Sequence, residues 1–544
     1  MYIMQKILFL VLTLIITVKI SAQSNGFELI KGMELMDLIH QNLELHYVDE
    51  PKPGKLCKVA IDAMLKELDP YTVYYHEANM EDYRMMTTGQ YGGIGALIRK
   101  IDNCIYISEP YEGNPAQKAG LKAGDKIISI DGKDMCNKPS DDVSSALKGP
   151  KGTTIQVKVL RDGKEINIPI TRDEIKIPDV PYAGILSKNI GYIKLNSFTQ
   201  TASEEVIKAF KDLKSQGMKE LILDLRDNGG GLLMEAVKIV NMFIPKNQLV
   251  VSTKGRIQDE NKLYITTEEP LDLTIPLVVL IDEGSASASE IVSGSLQDLD
   301  RAVIIGTTSY GKGLVQRTFD LKYGSKMKLT IAKYYTPSGR CVQKLEYYEK
   351  AEGERPHAIA DSLIKKFKTT NGREVIDGRG IEPDIKIKEK EFSRLTAMLV
   401  NKNLIFNYAT NYANTHNTIL DASTFTLSKE EYEGFKKLVL KDTFDYSTAS
   451  EEMLRKMRKT AEEEGYFEDS KTEYDALFKK LTPSKESDLE KFKVEISNIL
   501  ENEIVSRFYF QKGREIHAFK SDNFVEKAKE IIQNSKEINT ILKK

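Results

Sequence analysis

Apolar positions recur at helical spacing near the start of the chain, first at Met33, Leu35, Met36 and Ile39 and then at Leu56, Val59, Ala60, Met64, Leu65 and Leu68. Residues 23–83 are therefore predicted to form a helical N-terminal segment, and Asp69-Pro70 breaks its pattern. From 84 to 175 the signals become short and strand-like: Gly95–Ile98, Cys104–Ile107, Lys126–Ile130 and Thr154–Val159, with turns at Asp131-Gly132 and Asp162-Gly163. A compact, mostly β domain follows from that spacing. Residues 176–394 alternate apolar strands (Gly191–Leu195, Leu221–Leu225, Leu277–Ile281, Val303–Ile305) with helical stretches at 202–215, 231–243 and 287–299. Such alternation predicts an α/β core with a partly parallel sheet buried on both faces. Beyond 395 the chain is rich in Lys, Glu and Tyr at helical periodicity, a helical C-terminal extension reaching 544. The fold class is a multidomain α+β arrangement.

Lys6 precedes an apolar run from Ile7 to Val18, and Ile20-Ser21-Ala22-Gln23 offers a cleavage point after Ala22. Residues 1–22 are predicted to be a signal peptide of an exported, periplasmic protein; an uncleaved membrane anchor is disfavoured because a spanning helix needs about 20 apolar residues. The net charge of -2 gives no basic excess for a phosphate backbone, which argues against nucleic acid as a partner. Cys57, Cys104, Cys136 and Cys341 lack CxxC spacing. Free or buried thiols are expected, although an oxidising compartment would permit one pair. The six histidines form no HExxH or similar pattern, so no metal or other cofactor is expected.

Three segments carry candidate chemistry. The strand ending at Asp282 runs into Glu283-Gly284-Ser285-Ala286-Ser287-Ala288-Ser289-Glu290, which puts Ser287 at a strand-to-helix turn where helix N-H groups stabilise an oxyanion. The same residues fit an S-x-x-E capping box and a purely structural role. The apolar strand from Ala302 leads into Gly306-Thr307-Thr308-Ser309-Tyr310-Gly311-Lys312-Gly313, a lysine held between glycines. It satisfies GxxxxGK, but Gly313 stands where a nucleotide-binding loop needs Ser or Thr for magnesium. Finally, Leu225-Arg226-Asp227-Asn228-Gly229-Gly230-Gly231 ends a strand in three glycines that offer bare N-H groups, or else form a flexible turn.

Together these segments resemble the C-terminal processing peptidases, or tail-specific proteases. The resemblance extends to Gln297-Asp298, Val315-Gln316, Tyr334–Arg340 and Gly380–Asp384, covering roughly residues 30 to 390. It implies that Ser287 is the nucleophile, Lys312 the general base and Gln316 the residue that orients it. By the same analogy Ala288 and Gly230 or Gly229 supply the oxyanion hole, and Asp298 supports the site. A lysine acting as base must lose several units from its ordinary value of about 10.4, which burial among apolar strands would achieve.

Gly92-Gly93-Ile94-Gly95 before a strand, with Asn114-Pro115-Ala116 and Ala119–Asp125 farther on, looks like a PDZ domain. Its glycine-rich loop is expected to hold a terminal carboxylate while a sheet edge takes the peptide as an added strand, with Ile94 lining the pocket for the last side chain. The predicted protein is a serine endopeptidase that captures proteins with free, apolar C-termini; an inactive PDZ adaptor is the alternative. The helical ends are available for homo-oligomer formation or adaptor binding.

Overall fold

The structure, a computed structural model, describes residues 26–77, 80–348, 354–444, 446–482 and 484–543. The predicted signal peptide, residues 1–22, lies outside them. The chain divides into two compact units, one running up to Glu77 with Arg317–Thr330, the other comprising Ala78–Gln316 and Ile331–Lys544.

The first unit has helices at 26–46 and Pro53–Lys66, and its short strand Val73–Tyr75 pairs antiparallel with Lys326–Lys328. The Asp69-Pro70 break is an Asx turn in which Asp69 accepts the amides of Tyr71 and Thr72. Many apolar residues of helix 26–46, Phe27, Ile30 and Met33 among them, are exposed.

In the second unit, residues 96–171 build a sheet in the order Ala96–Ile101, Cys104–Pro110, Lys126–Ile130, Thr154–Arg161, Lys164–Thr171. Asp162 and Gly163, both at positive φ, close the last hairpin, as a two-residue turn between twisted strands requires. Inward-facing Ile105, Ile107, Ile127, Val157 and Val159 form the core with Val143 and Leu147 of helix Ser140–Leu147.

The peptidase-like core is a six-stranded sheet: Tyr182–Ser187, Ile190–Lys194, Glu220–Asp224, Leu277–Ile281, Val303–Gly306, Ile385–Lys386. The first pair is antiparallel and the rest are parallel. Burial on both faces explains why the four central strands read as largely apolar runs. Leu221, Leu223, Val279 and Ile304 face helices Ala202–Ser215, Leu233–Asn241 and Ala288–Asp298. Ile222, Val278, Leu280 and Ile305 face the opposite layer, formed by Phe524, Val525, Ala528, Ile531 and Ile538 near the end of the chain. The extension predicted from 395 is thus two things: a helical bundle with its own core, and a final helical pair, Asn523–Ile532 and Ser535–Ile541, that completes the sheet.

Arg226 fastens that pair. Its guanidinium bonds Asp224 on the sheet and Asp522, whose carboxylate caps the helix through the amides of Phe524 and Val525. Burial raises the Asp224 carboxyl, but Arg226 and Lys194 outweigh it and hold the group well below the usual range.

Candidate active site

Three loops meet at the carboxyl ends of the parallel strands, the crevice where open α/β sheets present ligand groups. Asn228 stitches the first loop to its surroundings: its side chain donates to Leu195 O at 2.7 Å, and its carbonyl accepts the Ala286 amide and the Ser289 hydroxyl. Asp282 gathers the amides of Asp227, Gly284 and Ser285. The glycine loop and the serine turn are therefore one hydrogen-bonded body.

Ser287 stands at φ 56, ψ -109, immediately before helix Ala288–Asp298. A serine held there costs about 1–3 kcal/mol, and an ordinary N-cap in the β region would not incur it. The S-x-x-E motif acts locally as predicted, since Glu290 accepts the Ser287 amide at 2.8 Å. The same carboxylate also reaches the third loop. It receives the Lys312 amide (2.9 Å) on the oxygen that holds Ser287, and the Gly311 amide (2.7 Å) and Ser309 hydroxyl (2.6 Å) on the other. One fully buried group thus places the main chains of Ser287 and Lys312 within two hydrogen bonds of each other. Burial pushes the Glu290 carboxyl above its usual range, against four donors that favour the ion.

The Gly311 and Lys312 amides, which a phosphate-binding loop would turn on its ligand, are thus occupied by the chain's own carboxylate. The loop also continues into a strand, Leu314–Asp320, and not a helix. Both facts disfavour the nucleotide alternative. Lys312 is half-buried. Gln316 lies four residues on in that strand.

Gly230 approaches the serine so closely that a Cβ on it would lie 2.9 Å from Ser287 Cβ and from the Ala288 nitrogen. Its own amide donates to Asn228 Oδ1 at 2.9 Å, so Gly230 is engaged and not a free donor as predicted. The amides of Ala288 and Gly229 donate to no group among the described residues. Tyr334, part of the resemblance but given no role from the sequence, donates its hydroxyl to Ser287 O at 3.2 Å. Asp298 is at the opposite end of the serine helix, about 16 Å along it at 1.5 Å per residue. There it holds buried Arg340 at 2.7 Å and the Ser338 amide, supporting the Thr336–Arg340 turn, and among the described residues its carboxylate hydrogen-bonds none of the three loops.

The predicted carboxylate loop is rearranged. Gly92 and Gly93 belong to strand Gln90–Gly93, paired with Asp173–Lys176, and the Gly92 amide donates to Glu81. Sequence reasoning saw four adjacent glycine-rich positions but not their partners some eighty residues away. Only the Ile94 and Gly95 amides, which donate to nothing among the described residues, remain for a ligand. The Ile94 side chain is in the domain core, 3% exposed, and does not line an open pocket. Strand Ala96–Ile101 is nevertheless a true sheet edge, flanked by helix Ser140–Leu147.

Fold and site together define a serine peptidase with a PDZ domain. Residues 189–348 match peptidase family S41, residues 92–171 the PDZ domain, and residues 395–532 the C-terminal helical domain of a probable PDZ-protease. The carboxy-terminal-processing protease of Bartonella bacilliformis is 38% identical over 341 residues, covering 62% of this chain and 78% of that protein. A probable CtpA-like serine protease of Staphylococcus haemolyticus is 32% identical over 428 residues, 77% of this chain and 78% of its own. Among solved structures, a photosystem II D1 C-terminal processing protease matches 64% of this chain and 86% of its own at 26% identity, with a TM-score of 0.35. The chain belongs to the carboxy-terminal-processing protease family.

Proposed function

We propose that this peptidase is exported, captures free apolar C-termini of other proteins through its PDZ domain and cleaves them through a Ser287–Lys312 pair. The observation that carries this reading is the buried Glu290 carboxylate, which ties the strained serine turn to the lysine loop. Lys312 Nζ takes the proton as Ser287 Oγ bonds to the scissile carbonyl carbon, with Gln316 orienting the amine. The resulting oxyanion accepts the Ala288 and Gly229 amides, while Gly230 provides the close approach that a side chain would block. Lys312 returns the proton to the leaving amine, then activates the water that releases the acyl group. Tail capture adds a strand to the Ala96–Ile101 edge, its carboxylate on the Ile94 and Gly95 amides.

Matched reporter peptides ending in a free carboxylate or an amide test both halves. Ser287→Ala and Lys312→Arg should abolish turnover, the second because a guanidinium keeps its proton. The amidated peptide should be cleaved more slowly below saturation. Cleavage by Ser287→Ala at the wild-type rate refutes the nucleophile; equal rates for the two peptides refute tail reading. A protein with no turnover in any form would be the tail-binding adaptor.

A further inference from the structure

Two thiols of the PDZ domain, Cys104 and Cys136, lie with their sulfurs 3.5 Å apart, both half-buried. Cys104 opens the strand Cys104–Pro110, which pairs with the edge strand Ala96–Ile101 across the turn at Asp102-Asn103. Cys136 lies just before helix Ser140–Leu147, the other wall of the groove. The two segments are already in register, because the Asn137 amide donates to Asn103 O at 2.8 Å. Lys126, Asp102, Tyr106 and Asp134 are the charged and titratable groups around the pair. Burial and the bond from Cys104 push the Cys136 thiol up. Either thiol can be reached first; with Cys104 attacking, Cys136 is the resolving thiol.

We propose that Cys104 and Cys136 form a reversible disulfide that clasps the two walls of the PDZ groove and sets its grip on C-terminal tails, an inference that rests on the tail-capture reading above. The oxidant is a small-molecule disulfide. The Cys104 thiolate attacks one of its sulfurs and expels a thiolate; the Cys136 thiolate then attacks the Cys104 sulfur of the mixed disulfide and expels the second. Two electrons pass from the cysteine pair to the oxidant, whose two thiols take up the two protons. A tied groove is pre-organised, so the bonded form holds a fitting tail more tightly.

The test uses the full chain carrying Ser287→Ala to prevent turnover, equilibrated with reduced or oxidised glutathione. Peptide mass mapping without reductant should find Cys104 joined to Cys136, leaving Cys57 and Cys341 to be alkylated after denaturation. Anisotropy with a labelled peptide ending in a free apolar residue should show roughly threefold or tighter binding in the oxidised state. Cys136→Ser should bind equally in both states. Four alkylated thiols after oxidation, or a bond between other cysteines, overturns the pairing. A Cys104–Cys136 bond with unchanged affinity overturns the clasp and leaves tail capture standing. Binding in neither state overturns tail capture and the clasp's function with it, while the mass map still decides the pairing.

Discussion

Glu290→Gln is the sharpest perturbation of the site, because it changes hydrogen-bond chemistry with almost no change of shape. The carboxylate accepts two donors on each oxygen: Ser287 and Lys312 amides on one, the Gly311 amide and Ser309 hydroxyl on the other. A glutamine must present its NH2 to one of these pairs. The less costly orientation faces Ser309, which can rotate to accept, and Gly311, which cannot. One buried amide then loses its partner, at about 1–3 kcal/mol. The bonds to Ser287 and Lys312 fall from charge-assisted to neutral, roughly 1 kcal/mol each.

An opposing effect must be included. A carboxyl whose folded pKa is raised by burial destabilises the fold as pH rises above its unfolded value, and the loss is complete once pH passes the folded value. Removing the charge recovers that loss, so the net destabilisation near neutral pH should be about 2–3 kcal/mol. Activity should suffer more, since the same bonds set the spacing of Ser287 and Lys312. A displacement of 1 Å costs about a hundredfold. Measured on a reporter peptide, kcat should fall by that order while KM holds, in protein whose near-UV spectrum matches wild type. Glu290→Asp keeps the charge but is one methylene too short to serve both loops, and should lose a similar factor. A Glu290→Gln enzyme with kcat within threefold of wild type, or a fully active Glu290→Asp, would refute this account of how the loops are joined.

Gly230→Ala places a Cβ 2.6 Å from Ala286 O and 2.9 Å from the Ala288 nitrogen, at a φ of 96 that alanine resists, and backbone atoms cannot yield as a flexible side chain would. Loss of about 2–4 kcal/mol and of nearly all hydrolysis is expected in thermal unfolding and peptide assays, and a near-wild-type rate would show that this contact does not shape the site. Arg226→Met leaves the buried Asp224 carboxylate with Lys194 at 3.7 Å and the Tyr192 hydroxyl, unties Asp522, and should cost about 3 kcal/mol, read as faster proteolysis and amide exchange across 523–541. In wild type the depressed pKa of Asp224 gives stability that is present above the unfolded value near 3.9 and is lost as pH falls through the folded one, so this helical pair should loosen at acid pH. Unchanged exchange in both experiments would mean that the ion pair does not hold it.

The strands of the core were legible in the sequence because a strand buried on both faces has no choice but to be apolar throughout, as Leu277–Ile281 is. The three loops were legible for a different reason: glycine-flanked serine and lysine make little sense on an ordinary surface. Glu290 escaped because the S-x-x-E motif already had a sufficient local explanation, and nothing in four residues reveals that the carboxylate's second oxygen serves a loop nineteen residues and more away. Likewise Gly92 and Gly93 read as a loop because strand pairing with Asp173–Lys176 is non-local. Strand Tyr182–Ser187, half-buried except at the exposed Ala183, shows neither alternation nor a continuous apolar run.

The C-terminal helices expose the same limit in a form that bears on how the enzyme is assembled. Periodicity in Asn523–Ile532 tells that one face is apolar, and Phe524, Val525, Ala528 and Ile531 are indeed buried, but periodicity cannot say against what. Without their counterpart, Tyr192, Ile222, Val278 and Leu280 would present a bare apolar sheet face directly beneath the strands that carry the three loops. A peptidase core ending near 394 is therefore incomplete: the last residues of the chain supply the layer on which the first strands of the core depend. The polypeptide between them, the helical bundle of 395 to 518, is a long insertion held at both ends by the catalytic sheet. It also touches the PDZ domain, through Arg514 and the buried Glu109 at 3.1 Å and Asn414 and Asp162 at 2.9 Å. The PDZ domain, the bundle and the sheet are thus joined by a continuous series of contacts, from Glu109 and Asp162 through the bundle to the helices packed beneath the strands.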